Sequence, residues 1–189
     1  MSTHRTVLGS GFRVPGSMFL VLFLVLGSGF VCARQNSPNL GKPISAADVA
    51  PWDIDVLPDG TGLPPGSGTP EEGGKIFAMK CQGCHGQGGK GGPFAAVVGG
   101  QPLTNGLETV KTVANFWPYA STLFDFTRRA MPWQAPRTLT NDEVYSLTAY
   151  ILSINKIIGE KDVMNAQTLP KVRMPNRDGF IPRFPERTP

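Results

Sequence analysis

The sequence predicts an all-α domain with an irregular extension at each end. Three observations carry this expectation. Two threonine-led capping boxes, Thr69-Pro70-Glu71-Glu72 and Thr140-Asn141-Asp142-Glu143, each announce a helix. After the second box, Val144, Leu147, Tyr150, Ile151 and Ile154 recur with a helical period. No stretch alternates apolar and polar residues as a half-buried strand does.

Taken in order, residues 1–17 carry His4, Arg5 and Arg13 but no acid, and Met18–Leu26 is an unbroken apolar run of nine. Nine residues rise only ~14 Å as a helix, about half of a hydrocarbon core. With small residues following at Val31-Cys32-Ala33, residues 1–33 read as a secretory signal peptide cleaved after Ala33. The alternatives are an uncleaved membrane anchor, or a lipid on Cys32, for which Phe30 and Val31 are poor preceding residues. Cleavage implies a periplasmic protein with no stable membrane span.

Residues 34–68 form an extended N-terminal arm, broken by Pro38, Pro43, Pro51, Pro58, Pro64 and Pro65, with one helical turn starting at Ser45. The arm is locally acidic and carries Trp52, Ile54, Val56 and Leu57, apolar groups that a free linker does not need. Residues 69–158 make the folded domain. Its first helix starts at Thr69 and runs into Lys80-Cys81-Gln82-Gly83-Cys84-His85, followed by a glycine-rich loop from Gly86 to Gly92. A short helix is predicted near Leu107–Asn115 and another over Pro118–Arg129, ended by Met131-Pro132. From 159 to 189 runs a proline-rich tail; from Lys161 on it holds six bases and three acids.

Composition excludes several functions. Gly (23) and Pro (18) supply 41 of 189 residues, which is high but below the range of low-complexity chains. A net charge of +4 spread along the chain gives no basic stripe, so no nucleic-acid partner is expected. Three cysteines are too few for a disulfide scaffold, and two histidines exclude most multi-histidine metal sites. Loss of residues 1–33 removes Cys32 and His4, leaving Cys81, Cys84 and His85 together.

Cys-x-x-Cys-His is the attachment pattern of haem c. Two thiols at one helix end can add to two vinyl groups, and the adjacent His85 then reaches the iron from the same side. Structural zinc needs four such ligands where the processed chain has three. A redox dithiol needs a βαβ neighbourhood that is missing here. One covalent haem c is therefore predicted, with Cys81 and Cys84 binding it and His85 as an axial iron ligand. For the sixth position no second histidine remains. Met79 precedes Cys81 by two residues on the same helix and belongs to the proximal side. Met131, 46 residues after His85 and at a helix end before proline, is the favoured axial ligand, with Met164 and Met174 as alternatives.

With these features the chain resembles class I cytochromes c over residues 69–158. That resemblance implies a crossing of the first and last helices, a small residue of one against an aromatic of the other; Gly74 and Tyr150 match. A narrower resemblance rests on Trp52–Val56, Pro58–Gly68, Trp117–Ala120, Arg128–Pro132, Asp162–Asn165 and Met174–Phe180. In these stretches the chain is similar to the cytochrome subunit of the sulfane dehydrogenase of the Sox sulfur-oxidation system. This implies a role in electron transfer rather than catalysis. The cytochrome would accept electrons from a molybdopterin-containing dehydrogenase subunit acting on sulfane sulfur or sulfite, and pass them to a downstream cytochrome or oxidase. Many members of that family have two haem domains; this chain has one attachment motif and matches the first. The alternatives are a free-standing electron shuttle to a terminal oxidase and, from another class, an enzyme acting at an open haem iron. The enzyme lacks both a spare cysteine and a distal histidine.

Overall fold

In the computed structural model, residues 40–103 and 109–181 are described, and Ser45 begins the compact unit treated below. The stretch 1–33 expected to be a signal peptide, Leu107 and Glu108 of the predicted short helix, and the last eight residues lie outside the described residues.

The two capping boxes form as read. Helix α1 is a single turn, Ala46–Val49, whose N-cap Ser45 exchanges hydrogen bonds with Asp48. Helix α2, Pro70–Lys80, begins with Thr69 and Glu72 capping each other reciprocally, with Pro70 at its first position. Helix α3, Gln82–His85, follows directly and carries the attachment motif. The short helix is α4, Val113–Phe116; residues 109–112 before it are not helical, because the Thr112 backbone N–H bonds the Asn115 side chain and starts the helix there. Helix α5 is Ala120–Ala130 and ends at Met131. It starts two residues later than predicted because Tyr119 is extended and pairs as an isolated bridge with Arg173. Helix α6, Asn141–Ile154, is capped by Thr140 and Glu143. Its last turn closes with Lys156 in the left-handed region (φ 60°) and the Ile157 N–H donating to Leu152 O at 3.0 Å.

The helices enclose one core. Phe77, Leu123, Phe124, Val144, Tyr145, Leu147 and Leu152 are buried at its centre, each side chain of this size contributing roughly 1.5–3 kcal/mol of burial. The most extensive contact is between α2 and α6. It depends on Gly73: a Cβ there would lie 1.8 Å from the Ser146 carbonyl oxygen and 2.7 Å from Tyr150 Cβ. Gly74, the position matched to Tyr150 by resemblance, does face its ring, but at 3.2 Å, where the ring can yield. The tighter requirement falls one residue earlier. Phe77 continues the contact, 5.2 Å from the Tyr150 ring centroid.

Both irregular stretches contribute to this core. Ser67–Gly68 (β1) pairs antiparallel with Met164–Asn165 (β2), a two-residue ladder too short to leave an alternation in the sequence. Met164, Leu169 and Met174 are buried, and Val56, Leu63 and Val172 pack against them and their neighbours. The Tyr145 hydroxyl donates to Pro64 O at 2.8 Å, and burial pushes its pKa up to about 12. Part of the apolar content of both extensions, Val56 included, thus folds back onto the domain itself. Trp52, Leu57, Phe180 and Ile181 stay exposed.

Gly73 gives a direct test. Gly73→Ala should destabilise the holoprotein by about 3 kcal/mol through collision with helix backbone. Gly74→Ala should stay within about 1 kcal/mol, because helix propensity offsets a small ring shift. Urea unfolding of the two variants measures both; equal losses would remove the special role of Gly73.

Candidate haem-attachment site

The site is built where α2 passes into α3. Cys81 closes α2, its N–H bonding Phe77 O at 2.9 Å, and Cys84 and His85 occupy the next turn. Both thiols are free and half-buried. Burial pushes the Cys81 thiol up to about 11, so thioether formation removes an ionisable group from a desolvated place. The His85 ring lies 6.5 Å from that of buried Phe77.

His85 Nδ1 is 2.8 Å from the Ala95 carbonyl oxygen. A carbonyl only accepts, so Nδ1 carries the proton and Nε2 keeps its lone pair. This is the orientation a metal-ligating imidazole takes when a backbone oxygen fixes its tautomer. Among the described residues no group of three His, Cys, Asp or Glu side chains is arranged to hold a bare metal ion. The donor set therefore fits a haem held by two thioethers and one imidazole, and does not fit zinc.

Ala95 is in turn held by a loop with its own anchors. A Cβ on Gly92 would fall 2.2 Å from Cys84 O, so only glycine lets the loop lie against the motif. Further along, Asn155 at the end of α6 accepts from the Gly99 N–H at 2.9 Å and donates to Val97 O at 3.0 Å. Buried Asn115 donates to Gln101 O at 2.8 Å, and the Thr112 hydroxyl donates to Gly99 O. Sequence reading gave none of Ala95, Asn115 or Asn155 a role at the site. The first acts through its backbone, Asn115 lies at the end of a predicted helix, and Asn155 bonds residues more than fifty positions away.

The four methionines considered as ligands are separated by burial. Met164 and Met174 are 4% and 1% exposed within the core, whereas Met79 is 74% exposed. Met131 is half-buried at the C-terminal cap of α5. Several basic residues near the attachment motif have partners within the domain. Lys75 pairs with Glu71, Lys80 with Glu143, and Arg129 with both Asp125 and Asp55. Arg137 donates to Pro51 O. The Lys80 ammonium on Glu143 holds that carboxyl below the usual range.

A cytochrome c family model matches residues 70–155, the span from the start of α2 to the end of α6. The chain belongs to the cytochrome c family: it carries an electron-transfer domain that holds haem c covalently, with Cys81 and Cys84 as the thiols of its Cys-x-x-Cys-His motif. Within that class it is similar to a chain of the sulfane dehydrogenase SoxCD from Paracoccus pantotrophus, at 34% identity over 79% of this chain and 74% of that one, with a TM-score of 0.71. Among curated proteins none matches. No helix among the described residues is long and apolar enough to cross a membrane.

Asn155→Ala should cost about 2 kcal/mol by unpairing backbone groups of the loop. It should also abolish the hydrogen-exchange protection of the Gly99 amide. Unchanged protection would show that Asn115 and Thr112 suffice to hold the loop.

Proposed function

We propose that the protein is an exported monohaem cytochrome c that accepts electrons from a molybdenum-dependent sulfur-compound dehydrogenase subunit, with His85 and Met131 as its axial iron ligands. When bound, the haem supplies a one-electron ferric/ferrous couple. The chain's residues do the rest. Cys81 and Cys84 fix the cofactor, and Ala95 O aims His85 by holding its Nδ1 proton. Met131 offers a soft thioether, which favours the ferrous state. Its claim is supported by the burial of Met164 and Met174 in the core, where they have packing roles. Export is supported by the basic and apolar character of residues 1–33.

The observation that carries the partner is the 34% identity to a sulfane dehydrogenase chain, which extends well outside the 70–155 cytochrome span. Exposed Trp52, Leu57, Phe180 and Ile181 on the flanking stretches support a stable docking surface over a free shuttle.

The test is co-expression of the cytochrome with a molybdopterin-containing dehydrogenase from the same genome. The two should co-elute, and sulfite or protein-bound sulfane should reduce the haem within the enzyme's turnover time. The reduction rate should fall less than about tenfold from low to high salt, since exposed apolar side chains lead the proposed contact. Separate elution with slow, strongly salt-dependent reduction would favour the free shuttle to a terminal oxidase.

A further inference from the structure

The loop that joins α5 to α6, residues 131–140, begins at Met131. Arginines on either side of that residue reach the same short segment of the N-terminal stretch, Pro51–Asp55. Arg129 spans two carboxylates: its Nε lies 3.0 Å from both oxygens of Asp125, one turn back on α5, and its Nη2 bonds Asp55. Arg137 donates from Nη2 to Pro51 O at 2.8 Å, and its guanidinium carbon lies 5.7 Å from the centroid of the Trp52 ring.

Two features make these contacts more than incidental surface pairs. Arg137 has φ 65°, in the left-handed region that residues with a Cβ disfavour. Such a conformation persists where surrounding contacts hold it, and the Arg137 side chain makes contacts to Pro51 and Trp52. The segment receiving both arginines is itself anchored. Trp52 and Asp53 N–H groups bond Val49 O at 2.8 and 3.1 Å, tying the segment to α1. One residue beyond Asp55, Val56 packs against the core.

We propose that Pro51–Asp55 is a clamp on the loop bearing the distal ligand, and that Asp55 and Trp52 are positioning residues which keep Met131 from swinging away from the iron. This rests on the assignment of Met131 as axial ligand. The clamp acts on the loop from both sides, through Arg129 two residues before Met131 and Arg137 six residues after it. Neither arginine needs to touch the cofactor. What the clamp governs is how readily the thioether leaves, while haem attachment depends on Cys81 and Cys84.

The experiment uses the ferric holoprotein and imidazole as probe. At saturating imidazole the rate of loss of the sulfur-to-iron band is limited by departure of the thioether. Asp55→Asn and Arg137→Ala should each raise that rate about two- to fivefold, the scale of one exposed charge or cation–π contact. Together they should raise it further, with the covalent haem retained. Trp52→Ala should behave like Arg137→Ala, and Trp52→Phe should restore nearly the parent rate. Glu71→Gln breaks an exposed ion pair on α2 and should leave the rate unchanged. Parent rates in Asp55→Asn and Arg137→Ala would overturn the clamp. So would a rise shared by Glu71→Gln that merely follows a lower unfolding midpoint. Met131→Ala separates this failure from the other: a sulfur-to-iron band that persists in it overturns the ligand assignment and the clamp together.

Discussion

The structure depends on one close approach, that of Gly73 on α2 to the backbone of Ser146 on α6. Without a side chain at 73, the two helices come near enough for Phe77 and Tyr150 to pack against each other. That contact fixes the direction of α2 and hence the place where it delivers Cys81, Cys84 and His85. It also places the end of α6, where Asn155 holds the loop presenting Ala95 to His85. A helix crossing thus becomes a constraint on the orientation of an imidazole, through a chain of contacts that are each local. The glycine costs helix propensity, about 1 kcal/mol against alanine, and the burial it permits outweighs that cost.

Much of this was legible in the sequence because it is local. Thr69 with Glu72 and Thr140 with Glu143 satisfy helix ends within four residues, so their chemistry can be read without the fold. Cys81, Cys84 and His85 are legible for the same reason. The illegible parts are those that depend on distant partners. Tyr119 reads as helical until Arg173 recruits its backbone into a bridge. Ser67 and Met164 lie in strands of two residues, too short for any period. The choice between Gly73 and Gly74 turns on the rotation of α2 against α6, which neighbouring glycines in a sequence do not reveal. Ala95 contributes a carbonyl, a group that every residue has.

The charges teach a related lesson. Counted along the chain, the lysines and arginines near the attachment motif suggest a positive face. In the fold, Lys75, Lys80 and Arg129 each meet a carboxylate, and Arg137 meets a carbonyl and an indole ring. Their work is internal. Arg129 and Arg137 bind the N-terminal stretch to the loop beyond α5, and Lys80 binds the end of α2 to the start of α6. The apolar residues of the extensions divide in the same way. Val56, Leu63, Leu169 and Met174 complete the domain, while Trp52, Phe180 and Ile181 remain on its surface.

The central claim is that one chain supplies both axial ligands, with His85 oriented by Ala95 and Met131 presented from the end of α5. Proton–carbon NMR of the reduced holoprotein, labelled at the methionine methyl groups, tests it most directly. A thioether bound to low-spin ferrous haem sits over the macrocycle, whose ring current shifts its methyl far upfield. The account predicts a single far-upfield methyl resonance, belonging to Met131, with Met79, Met164 and Met174 in the ordinary range. A far-upfield resonance from Met164 or Met174, or none at all, would contradict it.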